Sequence, residues 1–254
     1  MEAQPQGVEL YEVNIATNNL CNRRCAYCKF GQERPWERAT MPEELFEKIL
    51  SDLAAVDFSG ILSPFANNEP LLDKRMCRLV GRAHTVLPKA RLFLFSNGDL
   101  LDRRAMELLF EAGLSKLFLS LHDPGRLAEH EESARALGDQ VQIVKFYELG
   151  RASFHNFAGT VHSSAVTDEP SLDRGCCLPF RQLVINAQGT VDLCCADIYS
   201  ERVFGDARNR SVVDIFFNDP ELNLLRAGLA KGDRRGLNPC ERCSFGGTAA
   251  RLVV

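Results

Sequence analysis

Five short apolar runs rich in Val, Ile, Leu and Phe recur through the first two thirds of the chain, at Tyr11–Thr17, Gly60–Ala66, Arg91–Ser96, Lys116–Leu121 and Val141–Tyr147. Runs of this length, bounded by polar and turn residues, read as buried strands. Between them lie four longer amphipathic stretches, Pro42–Ala55, Lys74–Val86, Asp102–Ala112 and Gly125–Leu137. Their apolar residues share one face at helical periodicity. Thr40 offers a capping hydroxyl ahead of Met41-Pro42-Glu43-Glu44, with Pro in the first turn and acids behind it, and Asp102 and Gly113 bracket the third helix as cap and stop. Strands alternating with helices imply βα units and a parallel sheet. Right-handed crossovers then bring all strand C-terminal ends to one edge, where ligands collect.

The alternation stops near Gly150. Residues 151–170 are small and polar and read as loop, whereas Gln182–Asn186 and Thr190–Cys194 flank Ala187-Gln188-Gly189 as a β-hairpin. Ser211–Phe217 and Leu222–Ala230 have helical patterns. The expected division is a main unit over residues 1–150 and a smaller one over residues 151–254. A length of 254 residues suits one large domain with an appendage, and 45% hydrophobic with 25% charged residues is ordinary for a soluble globular chain. A net charge of −4 gives no reason to expect a nucleic-acid partner. The polar start, Met1 to Gly7, lacks a signal-peptide core, and no apolar stretch of about 18 residues exists to span a membrane. The expectation is therefore a cytoplasmic protein with no membrane partner. Ten cysteines in such a chain point to metal rather than to disulfides.

Cys21, Cys25 and Cys28 form Cys-x3-Cys-x2-Cys directly after the first strand run. Three thiolates on one tight loop can hold three irons of a 4Fe–4S cluster and leave the fourth open to a substrate or cosubstrate. A structural zinc site would want a fourth N or S ligand nearby, and no Cys follows until Cys77 and no His until His84. This run resembles the signature of the radical S-adenosylmethionine (radical SAM) superfamily. The resemblance continues at successive strand ends. It places Tyr27, just before Cys28, near the adenine of SAM. Where family members usually carry Gly-Gly-Glu-Pro, this chain has Asn67-Asn68-Glu69-Pro70, and the resemblance assigns Asn68 and Glu69 to the SAM amino group. Asn tolerates left-handed backbone better than most residues, so it can stand where the family uses Gly. Ser96 and Ser120, ending the third and fourth strands, would face the ribose or carboxylate of SAM. The implied chemistry is reductive cleavage of SAM to a 5′-deoxyadenosyl radical, which abstracts a substrate hydrogen atom. The surrounding loop is basic, with Arg23, Arg24, Lys29, Arg34 and Arg38, and suits an acidic flavodoxin or ferredoxin-type electron donor.

The C-terminal cysteines are also patterned. Cys177, Gly189-x4-Cys194 and the pair Cys240-x2-Cys243 resemble the Twitch domain, the short form of the SPASM domain, in which a hairpin and helix present four thiolates to one auxiliary 4Fe–4S cluster. The doublets Cys176-Cys177 and Cys194-Cys195 leave two choices open, because strand neighbours point to opposite faces. Cys177 is favoured by the following Leu178-Pro179-Phe180 and Cys194 by its spacing from Gly189. A structural zinc site is the alternative. The implied fold is α/β: a partial (β/α)6-type radical SAM barrel with a small C-terminal β-hairpin/helix Twitch domain, carrying two 4Fe–4S clusters and SAM.

In size and layout the chain is similar to the scyllo-inosamine dehydrogenase family of aminoglycoside biosynthesis, which acts on small aminocyclitols. That likeness implies oxidation of a secondary alcohol: the radical takes the carbinol hydrogen, a base takes the hydroxyl proton, and the auxiliary cluster accepts the electron. Arg151, His155 and Lys145 are the candidate bases, and Phe157 stands where relatives carry Arg. Redox-neutral epimerisation is the alternative, with Cys195, Cys176 or the helix residue Cys77, read as buried, returning a hydrogen. Peptide modification is a third reading, and a non-enzymatic iron–sulfur carrier a fourth.

Overall fold

The computed structural model describes residues 7–31, 37–150 and 153–246. The strand candidates become β1 (Glu12–Ile15), β2 (Ile61–Ser63), β3 (Arg91–Ser96), β4 (Lys116–Leu121) and β5 (Val141–Lys145), separated by α1 (Glu43–Ala54), α2 (Met76–Val86), α3 (Arg103–Glu111) and α4 (Leu127–Leu137). A short turn of helix, α5 (Leu178–Arg181), leads into β6 (Gln182–Ile185), β7 (Thr190–Asp192) and β8 (Val203–Asp206), followed by α6 (Val212–Asn218) and α7 (Pro220–Ala230). Asp102 caps α3 as expected, its carboxylate accepting from the Ala105 backbone N–H at 2.7 Å. Thr40 does not cap α1. Pro42 occupies the N-cap without a side-chain bond, and Thr40 instead forms an isolated antiparallel bridge with Asn18.

The architecture is α/β with a mostly parallel sheet. Among the described residues it holds eight strands in the order β5-β4-β3-β2-β1-β6-β7-β8. The first five run in parallel through consecutive βα units. The sixth parallel strand departs from a simple series: β6 pairs with β1, Val13 opposite Leu183, instead of following β5. The hairpin thus starts inside the main sheet. Its sequence explains why, because all four residues of Gln182-Leu183-Val184-Ile185 are buried. A strand covered on both faces belongs between neighbours rather than at a solvated edge. β8 has no counterpart among the predicted elements; it closes the sheet antiparallel to β7.

One apolar core joins the outer face of the sheet to the helices. Leu45, Phe46, Ile49, Leu50 and Leu53 of α1 and Met76, Leu79, Val80 and Ala83 of α2 are buried with Val13, Ile15, Leu92, Leu94, Leu117 and Leu119. The alternate strand positions face the other way and carry phenylalanines. Phe95 stacks on Phe118 with centroids 4.5 Å apart, and Phe65 packs on Phe95 at 5.5 Å. This aromatic layer floors the space at the strand C-terminal ends.

Gly189 turns the hairpin with φ +91°, and a Cβ there would lie 2.6 Å from a Leu45 methyl. Gly189→Ala should therefore cost about 3 kcal/mol, combining left-handed strain of roughly 1–2 kcal/mol with overpacking of about 1–3 kcal/mol. Gly232→Ala, at φ +77° with open space around it, should cost only the strain. Urea unfolding of the two variants checks the difference.

Candidate active site

β1 ends at Ile15, and the chain passes directly into the loop that carries Cys21, Cys25 and Cys28. All three half-buried thiols open on one cavity of about 180 Å³. The same cavity is lined by Tyr27, Asn68, Glu69, Ser96 and Ser120, so every residue expected to hold SAM is brought to one place. Burial pushes the Cys21 thiol up to about 11, with Glu69, Cys28 and Cys25 adding in the same direction. Burial likewise raises Cys28. Thiols held protonated in this way bind metal by exchanging the proton for it.

The loop is pinned to the ends of two strands. Arg23 donates to both carboxylate oxygens of Asp99, beyond β3, at 2.7 and 2.5 Å, and to Asp123, beyond β4, at 2.8 Å. Asn97 reinforces it, donating to Asn22 at 2.8 Å. The basic loop is accordingly less basic than its sequence. Arg23 is neutralised by two aspartates, Lys29 is mostly buried and reaches the Ile198 carbonyl at 3.4 Å, and Arg34 lies outside the described residues.

Glu69 is 1% exposed. Its carboxylate accepts from the Ser96 hydroxyl at 2.9 Å, the Asn97 N–H at 2.9 Å and the Leu71 N–H at 3.1 Å. Burial raises its pKa against the pull of these bonds. Asn67 adopts φ +53°, the left-handed conformation that glycine would otherwise supply. Its amide donates to the Cys195 carbonyl at 2.7 Å. Asn68 accepts from the Ala66 N–H at 2.9 Å through Oδ1, and its buried Nδ2 has no partner among the described residues. A buried donor in that state costs about 1–3 kcal/mol unless a ligand supplies an acceptor. Three thiols, a bonded carboxylate and this orphaned donor around one cavity fit a three-cysteine cluster with SAM beside it.

Tyr27 is committed on one side: its ring stacks on Phe154 at 4.0 Å, and its hydroxyl lies 2.5 Å from His122 Nδ1. Sequence reasoning passed over His122 as a site residue. It lines the cavity and sits 3.8 Å from the Cys25 sulfur, and burial lowers it to about 4. Its signal was the position two residues after Ser120 at a strand end.

The candidate bases are placed differently. His155 lines a separate cavity of about 750 Å³ with Glu169, Asp173 and Arg174, and its ring packs on Phe157 and Phe245. Lys145 pairs with Glu131 at 3.7 Å. Arg151 lies outside the described residues. Phe157 lines the SAM cavity. Cys195 is half-buried, accepts Asn67 through its carbonyl, and lines neither the SAM cavity nor the polar space beside it. Cys77, read as a buried helix residue, is exposed on α2, because its position falls outside the buried face of Met76, Leu79, Val80 and Ala83.

In the C-terminal part, burial raises Cys194 far above an ordinary thiol, with Cys195, Cys176, Cys240 and Cys243 all adding to the effect. Cys176 is pushed up to about 11 by burial and Cys240 to about 12, each also by its neighbouring thiols. The thiols whose charges act on one another are thus Cys176, Cys194, Cys195, Cys240 and Cys243. Cys177 is raised by burial and sits at the N-cap of α5, next to Cys176, so the doublet offers two candidate ligands. Among the described residues no three His, Cys, Asp or Glu side chains close on a single ion; the thiols of a cluster stand further apart, with iron and sulfide between them.

A second, polar cavity of about 100 Å³ lies beside the first and shares Asn67 with it. Lys29, Asn186, Gln188, Asp192 and Cys194 are on its wall. Asp192 accepts from Asn186 at 3.0 Å and Ser200 at 2.9 Å, and burial pushes it up to about 7.

Two outcomes follow. Cys176→Ala should lose about four irons per reconstituted chain and Cys177→Ala should keep them, read by iron assay. Glu69→Gln should leave the iron of the N-terminal loop in place but weaken SAM binding by about ten- to a hundredfold, the equivalent of roughly 1.5–3 kcal/mol for bonds to a charged group, read by anaerobic equilibrium dialysis.

Comparison with known proteins agrees with this geometry. The model of the radical SAM superfamily matches residues 15–151, and that of the SPASM iron–sulfur cluster-binding domain matches residues 176–244. Among curated proteins, the S-adenosyl-L-methionine-dependent 2-deoxy-scyllo-inosamine dehydrogenase of Niallia circulans is 25% identical over 91% of this chain and 92% of its own length. The GTP 3′,8-cyclase of Mycobacterium marinum is 32% identical over 43% of this chain and 31% of its own length. Among solved structures, that of BtrN in complex with AdoMet and 2-DOIA superposes with a TM-score of 0.83 at 24% identity, covering 93% of this chain and 94% of that one, which shows a shared fold. No helix among the described residues is long and apolar enough to cross a membrane. The radical SAM match spans more than half of the sequence and carries 4Fe–4S and SAM chemistry with it, and the chain belongs to the radical SAM superfamily.

Proposed function

We propose that this protein is a radical SAM dehydrogenase that oxidises a secondary alcohol on a small sugar-like or aminocyclitol substrate. The observation that carries the reading is the meeting of two cavities at Asn67. One holds Cys21, Cys25, Cys28 and the SAM-binding groups, and the other is polar and walled by Cys194. A substrate in the second cavity would lie between the radical source and an electron acceptor. Lys29, Asn186, Gln188 and Asp192 offer donors and acceptors that suit hydroxyl and ammonium substituents. The likeness to the 2-deoxy-scyllo-inosamine dehydrogenase along nearly the whole chain supports this substrate class.

In this reading residues 1–150 form the radical SAM core and residues 151–254 the auxiliary unit. Cys21, Cys25 and Cys28 hold the first cluster, and bound SAM supplies a 5′-deoxyadenosyl radical. Asn68 and Glu69 bind the methionine end of SAM; Ser96 positions Glu69; Tyr27 and Ser120 face the nucleoside. Cys176, Cys194, Cys240 and Cys243 hold the auxiliary cluster. A flavodoxin or ferredoxin-type protein of the reducing cytoplasm delivers the first electron. Epimerisation would need a thiol facing the substrate, and Cys195 lines neither cavity.

The test is turnover of aminocyclitols deuterated at the carbinol carbon. Deuterium should appear in 5′-deoxyadenosine together with a ketone product. A product with one inverted centre at which the deuterium is replaced by hydrogen, and no ketone, would replace the dehydrogenase by an epimerase. Asp192→Asn should lower kcat/KM by about ten- to a hundredfold with iron content unchanged, the size expected for losing a charged contact.

A further inference from the structure

Arg234 is 1% exposed and is among the largest fully buried side chains. A guanidinium in such a place is ordinarily paired with a carboxylate, because an unpaired buried charge is costly. Among the described residues Arg234 has no such partner. All its hydrogen bonds go to backbone carbonyls: Nε to Arg174 at 3.0 Å, Nη2 to Gly175 at 2.8 Å, Nη1 to Phe245 at 2.9 Å and to Cys243 at 3.5 Å. Those carbonyls flank the two segments that present Cys176 and Cys243. The backbone gives dipoles but no countercharge. Its chain neighbour Asp233 is exposed and pairs with Arg235 instead, whereas the field of the buried guanidinium is felt by Cys176 and by Cys240.

We propose that Arg234 is the built-in countercharge of the auxiliary cluster, a positioning residue that raises the cluster's reduction potential so that it can accept the substrate's electron. The inference rests on the auxiliary-cluster reading above. A four-thiolate iron–sulfur cluster is a net anion and gains one further negative charge for each electron it accepts. A fixed cation in a low-dielectric interior stabilises the reduced form more than the oxidised one, and net charge and hydrogen bonding around a cluster set its potential. The planar fork of arginine also holds the ligand segments on both sides in one geometry. Arg226, the other fully buried arginine, also donates to backbone carbonyls, those of Pro179 at 2.8 Å and Phe216 at 2.6 Å, but it packs on the Phe216 ring, bonds Asn223 and has the Asp219 carboxylate as its countercharge.

The experiment uses the full chain carrying Cys21→Ala, Cys25→Ala and Cys28→Ala, so that only the auxiliary cluster is observed. About four irons in this background, as expected of one 4Fe–4S cluster, establish the auxiliary cluster independently; no iron there would overturn the underlying reading instead. Arg234→Gln is then compared with Arg234→Lys by redox titration monitored by electron paramagnetic resonance. The glutamine variant should show a midpoint shifted negative by a tenfold change in the reduction equilibrium, about 59 mV for a one-electron couple, and the lysine variant should stay near the parent. A glutamine variant with full iron and an unshifted midpoint overturns the proposal. If the glutamine variant holds no iron, the lysine variant decides: full iron at the parent midpoint supports the charge, and loss of iron or a displaced midpoint assigns Arg234 a purely structural role.

Discussion

The carboxylate of Glu69 joins the parts of this site that come from different βα units. It follows β2 and accepts from Ser96 and Asn97 at the end of β3, while its backbone N–H donates to the Leu20 carbonyl at 2.7 Å, one residue before Cys21. A buried carboxylate is stable only when its lone pairs are met, so these bonds are a condition of the loop packing as well as a consequence of it. Arg23 repeats the arrangement further out, with Asp99 and Asp123 holding it from two strand ends. Together they fix the cysteine loop against a rigid sheet edge, and the phenylalanine layer beneath excludes water from the side opposite the opening.

The second constraint is the pairing of β6 with β1. Because β6 lies next to β1, the hairpin turn Ala187-Gln188-Gly189 reaches the edge that Cys21 follows, and β7 runs back from it towards Cys194. The Asn67 amide bonded to the Cys195 carbonyl and the Lys29 ammonium reaching Ile198 cross between the two regions. The proposed passage of an electron from substrate to a second cluster needs the two regions to meet, and the polar cavity lies where they do. Arg234, bonded to the carbonyls of Gly175 and Cys243, is the fixed charge proposed for the second group of thiols.

Much of this was legible in the sequence. β3 and β4 fall at the predicted residues because their apolar runs end sharply at Ser96 and Leu121. The cavity residues were readable because the strand-end motifs Asn67-Asn68-Glu69-Pro70 and Ser96-Asn97-Gly98 carry their chemistry locally. What escaped was decided by distance in the chain. β6 reads as a hairpin strand until β1 is found beside it. The choice between Cys176 and Cys177 turns on how the doublet enters α5, which spacing alone does not say. His155 lines a cavity apart from the cysteine loop, with its ring against Phe157 and Phe245, a placement its sequence neighbours do not announce, and Cys77 proved exposed because helical phase, not hydrophobicity, decides its face. Arg234 carries no local signal: a lone arginine becomes notable only when its burial and its carbonyl partners are known.

The most direct test of the central claim is the metal content of the anaerobically reconstituted chain, measured with 5′-deoxyadenosine formation after reduction. Two 4Fe–4S clusters predict about eight irons and no zinc per chain, with 5′-deoxyadenosine produced from SAM. About four irons with one zinc, a metal that four thiolates hold equally well, would contradict the account by making the C-terminal site structural and leaving the substrate's electron without an acceptor.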